Sequence, residues 1–109
     1  MTRVPSTMSL DICLFRDDGS VEVMLPIGTA IHYDLMAHAA RVNASAIARM
    51  SDYYEHVSYR SDDLGTLADE VRLVQGSSCS EALRQWLDQF RAVLAMAART
   101  GRGIEVQAD

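Results

Sequence analysis

Few side chains in this sequence have the type and spacing that chemistry requires. His32 and His38 are six residues apart, which places them on different sides of a helix, whereas His38 follows Asp34 by four residues and can meet it on one face. No second pair of ligands has suitable spacing, and the His-Glu-x-x-His pattern of zinc enzymes does not occur. We therefore predict no metal site and no cofactor, and we expect His32, His38 and His56 to be solvated or locally hydrogen-bonded.

Residues 76–80 read Gly-Ser-Ser-Cys-Ser and offer a nucleophile at the start of a helix. A thiolate at Cys79 would be stabilised by the positive end of that helix. No residue is placed to act as its base, however, and serines are common helix caps, so we predict a structural role. Gly101 and Gly103 come closest to a phosphate-binding glycine pattern, but they follow a helix, whereas such a loop must precede one. Because no group of residues matches a known catalytic motif, the chain is not expected to be an enzyme.

Composition and net charge indicate which kinds of molecule the chain is able to bind. The chain has 109 residues, of which 49% are hydrophobic and 23% are charged, as expected for one globular domain. Its formal net charge of −5 disfavours binding to nucleic acid or to acidic membranes, because both attract basic proteins. The same charge favours association with a basic protein partner.

The sequence also indicates a compartment. Cys13 and Cys79 are far apart and form no disulfide framework, so both are interpreted as free thiols. The chain has no apolar run long enough for a membrane span, and its first residues lack the apolar core of a signal peptide. We therefore predict a flexible leader over residues 1–8, a single domain over residues 9–109, and a cytoplasmic location.

The clearest structural element is a β-hairpin near the N-terminus. Apolar residues alternate on both sides of Asp-Asp-Gly-Ser at residues 17–20, and Asp-Gly in such a setting is a strong hairpin signal. We predict a type I′ turn at Asp18 and Gly19, which places the apolar residues of both strands on one face. Pro26 has no N–H for the ladder, so the second strand is predicted to lie at a sheet edge. The facing pairs of this register are Leu10 with Ile27, Ile12 with Leu25, and Leu14 with Val23.

Apolar residues recur at helical spacing through the middle of the chain. The widest apolar stripe belongs to the last helix, where Leu83, Trp86 and Phe90 lie on one side and should form the centre of the core. Residues 55–60 follow no period and are predicted to be a loop. The predicted helices are one that Thr29 caps, a short one over residues 45–54, one that Ser61 caps and Gly76 ends, and one over residues 79–99 that opens with a capping box of Ser78 and Glu81.

Residues 103–108 alternate between apolar and polar side chains and are predicted to form a final strand. A single terminal strand needs a partner, and the first strand has a free side if the second strand is an edge. We therefore predict an α+β fold in which the N-terminal hairpin and the C-terminal strand form a three-stranded sheet in the order 2-1-3. Three to four helices are expected to pack on one face of this sheet.

Residues 51–63 read Ser-Asp-Tyr-Tyr-Glu-His-Val-Ser-Tyr-Arg-Ser-Asp-Asp and hold three of the four tyrosines. Protein interfaces favour tyrosines beside charges, because each ring buries a large area at low entropic cost. The sequence leaves equally open an alternative, in which Tyr54 packs inward and the acidic residues form a solvated face. The predicted partner-binding residues are Asp52, Tyr53, Glu55, Tyr59, Asp62 and Asp63.

The size, charge and order of elements resemble a known group of proteins. The chain begins with the alternating strand Ser-Leu-Asp-Ile-Cys-Leu-Phe, continues with an acidic helical middle, and closes with a strand that ends in Ala-Asp. In these respects residues 8–109 resemble the small cytoplasmic immunity proteins of bacterial contact-dependent inhibition and polymorphic-toxin systems. The resemblance implies a protein that binds and neutralises a cognate toxin domain, often a basic nuclease. The alternative is a self-associating structural or regulatory module that pairs through an exposed sheet edge.

Overall fold

A computed structural model describes residues 10–52 and 55–108. The predicted leader, residues 1–8, lies outside these ranges. The strands are β1 (Leu10–Phe15), β2 (Val21–Ile27), β3 (Val57–Tyr59) and β4 (Ile104–Ala108). The helices are α1 (Thr29–Arg41), α2 (Ser45–Ala48), α3 (Leu64–Gln75) and α4 (Glu81–Thr100), and a short 3-10 turn covers Ser61–Asp63. None of the helices in the described ranges is long and apolar enough to cross a membrane.

The four strands form one antiparallel sheet in the order β2-β1-β4-β3. This confirms the α+β class, the edge position of β2 and the pairing of the C-terminal strand with β1. The predicted number of three strands was wrong, because Val57–Tyr59, expected to lie in a loop, pair with β4. A strand of three residues is too short for its alternation to be visible in the sequence. Its pairing with β4 covers the edge that the order 2-1-3 would have left open.

The hairpin has the predicted register. The apolar pairs face each other as expected, and Pro26 lies opposite Asp11. The ladder is irregular between Leu14 and Phe15, where a β-bulge shifts the pairing so that Phe15 faces Val21. A slip of one residue would turn every side chain of the strand to the other face of the sheet. The bulge takes up the extra residue next to the turn, so the alternate apolar residues from Leu10 to Leu14 stay on the buried face.

The turn itself differs from the prediction. A type I′ turn requires positive φ at both central residues, whereas Gly19 has a φ of 88° and Asp18 does not share that conformation. The Arg16 N–H donates to the Ser20 carbonyl oxygen over 2.8 Å, which closes a loop of three residues. The Asp18 carboxylate accepts hydrogen bonds from the Ser20 backbone N–H at 2.9 Å and from its hydroxyl at 2.6 Å. These bonds hold the chain in the longer turn.

The core lies between the helices and one face of the sheet. The buried cluster joins alternate residues of the strands, such as Ile12 and Val106, to the apolar faces of all four helices. Cys13 points to the opposite face of the sheet and is also buried there. The fold therefore has two layers, with helices against the sheet face that carries Ile12.

Trp86 is a core residue, as predicted, with 7% of its surface exposed. Its ring lies against the ring of Phe90, with 5.2 Å between the two centroids. Its indole N–H donates to the carbonyl oxygen of Pro26 over 2.8 Å. The apolar ring and this hydrogen bond together hold α4 against the edge strand β2.

Several helices begin or end at residues other than the predicted ones. Ser80, rather than the predicted pair of Ser78 and Glu81, caps α4, because its hydroxyl accepts the Leu83 N–H at 3.1 Å. Gly28 occupies the N-cap position of α1 in place of Thr29. The short helix ends at Ala48 instead of residue 54, and Ser61 begins the 3-10 turn without capping it.

Gly103, just before β4, is required by a close approach of two backbones. A Cβ atom at this position would collide with the carbonyl oxygen of Tyr59, at the end of β3. Only a residue without a side chain lets β4 approach β3 this closely. The glycine therefore helps to fix the position of β3 on the sheet.

We expect the amides of β1 to exchange with solvent more slowly on average than those of β2. Residues 10–13 pair with strands on both sides, whereas the outward N–H groups of β2 have no partner strand within the described residues. Hydrogen exchange measured by NMR tests this. Slower average exchange in β2 would contradict the central position of β1.

Replacement of Trp86 by alanine should lower the free energy of unfolding by about 3–5 kcal/mol, because it leaves a large cavity in the core. Trp86→Phe keeps an aromatic ring but loses the bond to Pro26, so a smaller loss is expected. Urea denaturation measures both values. Tyr33→Ala is the control, because 80% of Tyr33 is exposed on α1. Equal stability of Trp86→Ala and Tyr33→Ala would contradict the packing.

Candidate partner-binding segment

The acidic segment, residues 51–63, lies between α2 and α3 in the chain and contains β3. It leaves α2 through Ser51 and Asp52, forms β3, and enters α3 through the 3-10 turn. Residues 53 and 54 lie outside the described residues, so the predicted site residue Tyr53 and the alternative position of Tyr54 remain predictions. Residues 57–63 of the segment are thus fixed to the domain by β3 and by the 3-10 turn before α3.

Tyr59 does not fit its predicted role as an interface residue, because it is buried and only 1% of its surface is exposed. Val57 and Tyr59 of β3 point toward the helices, whereas Ser58 points outward. The Tyr59 hydroxyl donates to the carbonyl oxygen of Ala46 in α2 over 2.6 Å. The structure therefore corrects this assignment and makes Tyr59 a core residue that joins the sheet to α2.

Arg49 covers this tyrosine from the solvent side. Its guanidinium carbon lies 4.4 Å from the centre of the Tyr59 ring, a distance at which a cation and an aromatic face attract each other. The same group donates to the Ser58 carbonyl oxygen over 2.6 Å and lies 3.5 Å from the carboxylate of Asp63. Arg49 thus connects β3 to the 3-10 turn. Nothing in the sequence indicates this role, because Arg49 lies in the helix predicted over residues 45–54 and has no regular spacing to Ser58, Tyr59 or Asp63.

Glu70 of α3 is a buried carboxylate that fixes α2. Its two oxygens accept the backbone N–H groups of Ala46 at 3.1 Å and Ile47 at 2.8 Å. A negative charge at the first turn of a helix is favourable, and a buried carboxylate needs such donors. Glu70 and Tyr59 therefore hold the same short helix, Glu70 through two of its N–H groups and Tyr59 through a carbonyl oxygen.

Four acidic residues of the segment were predicted to bind a partner, and they differ in their surroundings. Asp52, Glu55 and Asp62 are exposed, with Asp52 accepting the Glu55 N–H at its carbonyl oxygen over 3.2 Å. Asp63 is partly buried, and its carboxylate accepts the Arg60 N–H at 3.0 Å. Asp63 therefore shapes the turn before α3, whereas the other three carboxylates face solvent.

The neighbouring sheet extends this acidic surface. The Ser58 hydroxyl donates to the carboxylate of Glu105 in β4 over 2.7 Å. The Ala108 N–H donates to Nδ1 of His56 over 3.2 Å. Glu105 thus places a further carboxylate beside the segment, although the two are far apart in sequence. The sequence does not place Glu105 beside the segment, because its position there depends on the pairing of β3 with β4.

The other polar clusters serve to connect elements. His38 lies between Ser77, whose Oγ is 3.1 Å from Nδ1, and Asp34, whose carboxylate is 3.6 Å from Nε2. The Ser77 hydroxyl also donates to the Val74 carbonyl oxygen over 2.6 Å. His32 contacts the Met50 carbonyl oxygen through Nε2 at 2.8 Å. Within residues 10–52 and 55–108, no group of three metal-ligating side chains comes together.

In comparisons with known proteins, no family model, no curated protein and no solved structure matches the chain. The acidic segment carries three exposed acidic residues, Asp52, Glu55 and Asp62, and it contains β3 and the 3-10 turn before α3.

Tyr59 should make the protein less stable at high pH. Burial raises the pKa of its hydroxyl well above the usual value, and the carboxylates of Glu70 and Asp63 add to this, while Arg49 opposes it. Above pH 10 the unfolded chain releases the proton and the folded chain keeps it. The free energy of unfolding should therefore fall with rising pH, by up to about 1.4 kcal/mol per pH unit for this group.

Urea denaturation between pH 9 and pH 11 tests this pH dependence. Tyr59→Phe should remove the contribution, whereas Tyr33→Phe is the matched control, because Tyr33 is exposed. An alkaline loss of stability that is the same in both variants would show that Tyr59 is not the group responsible.

Proposed function

We propose that this chain is a small acidic immunity protein that binds and neutralises a cognate toxin domain of basic charge, such as a nuclease. The observation that carries the proposal is the exposure of Asp52, Glu55 and Asp62 on one short segment, whose residues 57–63 are held by β3 and by the 3-10 turn. The net charge of −5 supports it, because the whole chain attracts a basic partner. The resemblance in size, charge and layout to immunity proteins points the same way.

The proposed mechanism is inhibition by occupation. The exposed carboxylates steer the toxin toward the acidic segment, and the bound chain covers the basic cleft or displaces the substrate from it. Tyr53 is the proposed aromatic residue at the centre of the contact, and it takes the role that was predicted for two tyrosines. Because long-range attraction acts before contact, the carboxylates should govern association, while an aromatic contact should govern dissociation.

A second candidate function is self-association through the sheet edge. β2 is an edge strand, and Val21 and Met24 on it are 40% and 55% exposed. An edge with exposed apolar side chains can pair with a copy of itself, although Pro26 restricts pairing at one end. A concentration-dependent dimer that Met24→Lys abolishes would support this function. A monomer at high concentration would contradict it.

We expect that neutralising Asp52, Glu55 and Asp62 to their amides slows association with the toxin domain about tenfold and flattens its salt dependence, as for steered complexes. Tyr53→Ala should instead speed dissociation. The candidate partner to test is the product of the neighbouring gene. Co-purification tests whether it binds, and stopped-flow mixing gives the rates.

The matched control neutralises Asp17, Asp69 and Glu81, three exposed acidic residues outside the segment, and removes the same net charge. If the control slows association as much as the test variant, the total charge matters and the segment does not. If no toxin domain co-purifies, the proposed function is wrong.

A further inference from the structure

A second surface lies between α3 and α4, where the two helices leave an open groove of about 240 Å³. Its floor is apolar and includes the buried side chains of Leu64 and Leu94. Its walls are formed by small residues, Gly65 and Ala68 on α3 and Ala95 and Ala98 on α4. A Cβ atom added to Gly65 would meet no other atom within 4 Å, so the space above it is open.

The groove carries one arginine on each wall. Arg72 of α3 and Arg91 of α4 both line it. Arg72 donates to Asp69 over 2.7 Å, and Arg91 donates to the side-chain oxygen of Gln75 over 3.2 Å. A guanidinium has five N–H donors, so each arginine keeps donors for a further acceptor. Its planar fork matches a carboxylate in two parallel bonds.

The combination of apolar floor, small walls and paired arginines indicates the kind of ligand. Small residues let another helix approach closely, and an amphipathic helix in an apolar groove is a recurrent mode of recognition. From Gly65 to Arg72 the wall extends about 10 Å, which corresponds to two turns of a helix. A polyphosphate chain fits less well, because the carboxylates of Asp69 and Asp88 lie on the same helices.

We propose that the groove between α3 and α4 binds an amphipathic helix of a partner protein, with an apolar face against the floor and an aspartate or glutamate between Arg72 and Arg91. The groove itself is lined by two positive side chains, of which Arg72 also pairs with Asp69, whereas the acidic segment exposes carboxylates. The inference therefore does not depend on the proposed function, and it assigns a second interface to the domain.

The test uses two synthetic stapled helical peptides and the full chain. Both peptides carry the same alanine and leucine face, and one has glutamates where the other has lysines, at one end of that face. Fluorescence anisotropy should show the glutamate peptide binding at least tenfold more tightly than the lysine peptide. The variant with Arg72→Glu and Arg91→Glu should reverse this preference. Ala68→Arg should abolish binding of both peptides while circular dichroism and the Tm show that the chain is folded.

The control variant carries Arg41→Glu and Arg60→Glu, which make the same change in net charge at exposed residues outside the groove. It should keep the preference for the glutamate peptide. Absence of binding by either peptide, equal binding of both, or an equal effect of the control variant would overturn the proposal. Binding of dodecanoate or of a short DNA strand at this groove, with no binding of the glutamate peptide, would also overturn it.

Discussion

β4 runs along β1, and through this pairing the two ends of the described chain meet in the middle of the sheet. Leu10 faces Ala108 and Ile12 faces Val106, so the contact closes a loop that contains nearly the whole domain. The entropic cost of closure grows slowly with loop length, and burial of apolar side chains on the helix side offsets it. Every later feature depends on this contact, because β3 and the acidic segment attach to the sheet through β4.

Buried hydrogen bonds connect the sheet and α3 to the short helix α2. α2 has four residues, and a helix of that length does not form alone in water. Tyr59 holds one of its carbonyl oxygens and Glu70 holds two of its N–H groups, so the sheet and α3 both contribute to the same helix. The bonds to α2 give the buried polar atoms of Tyr59 and Glu70 their hydrogen-bond partners and also hold α2 in place. The acidic segment follows α2 in the chain, so its starting point is held as well.

Charge is unevenly distributed over a chain with a net charge of −5. Asp62 and Asp63 lie just before α3, whereas Arg72 lies in its last turn and faces the groove toward α4. Along the axis of α3, Asp62 and Arg72 are about 15 Å apart, a distance over which physiological salt screens most of their mutual attraction. The two groups therefore interact only weakly with each other.

The sequence determined the elements whose signals are local. The alternation around Gly19, the stripe of Trp86 on α4 and the exposure of acidic residues such as Asp62 depend on neighbours within a few residues. Only the tertiary structure decided that Val57–Tyr59 form a strand and that Tyr59 points inward, because a strand of three residues takes its direction from its partner. Glu70 accepts hydrogen bonds from N–H groups 23 and 24 residues away in the chain. Contacts at such a separation produce no periodic pattern in the sequence, so they cannot be predicted from it.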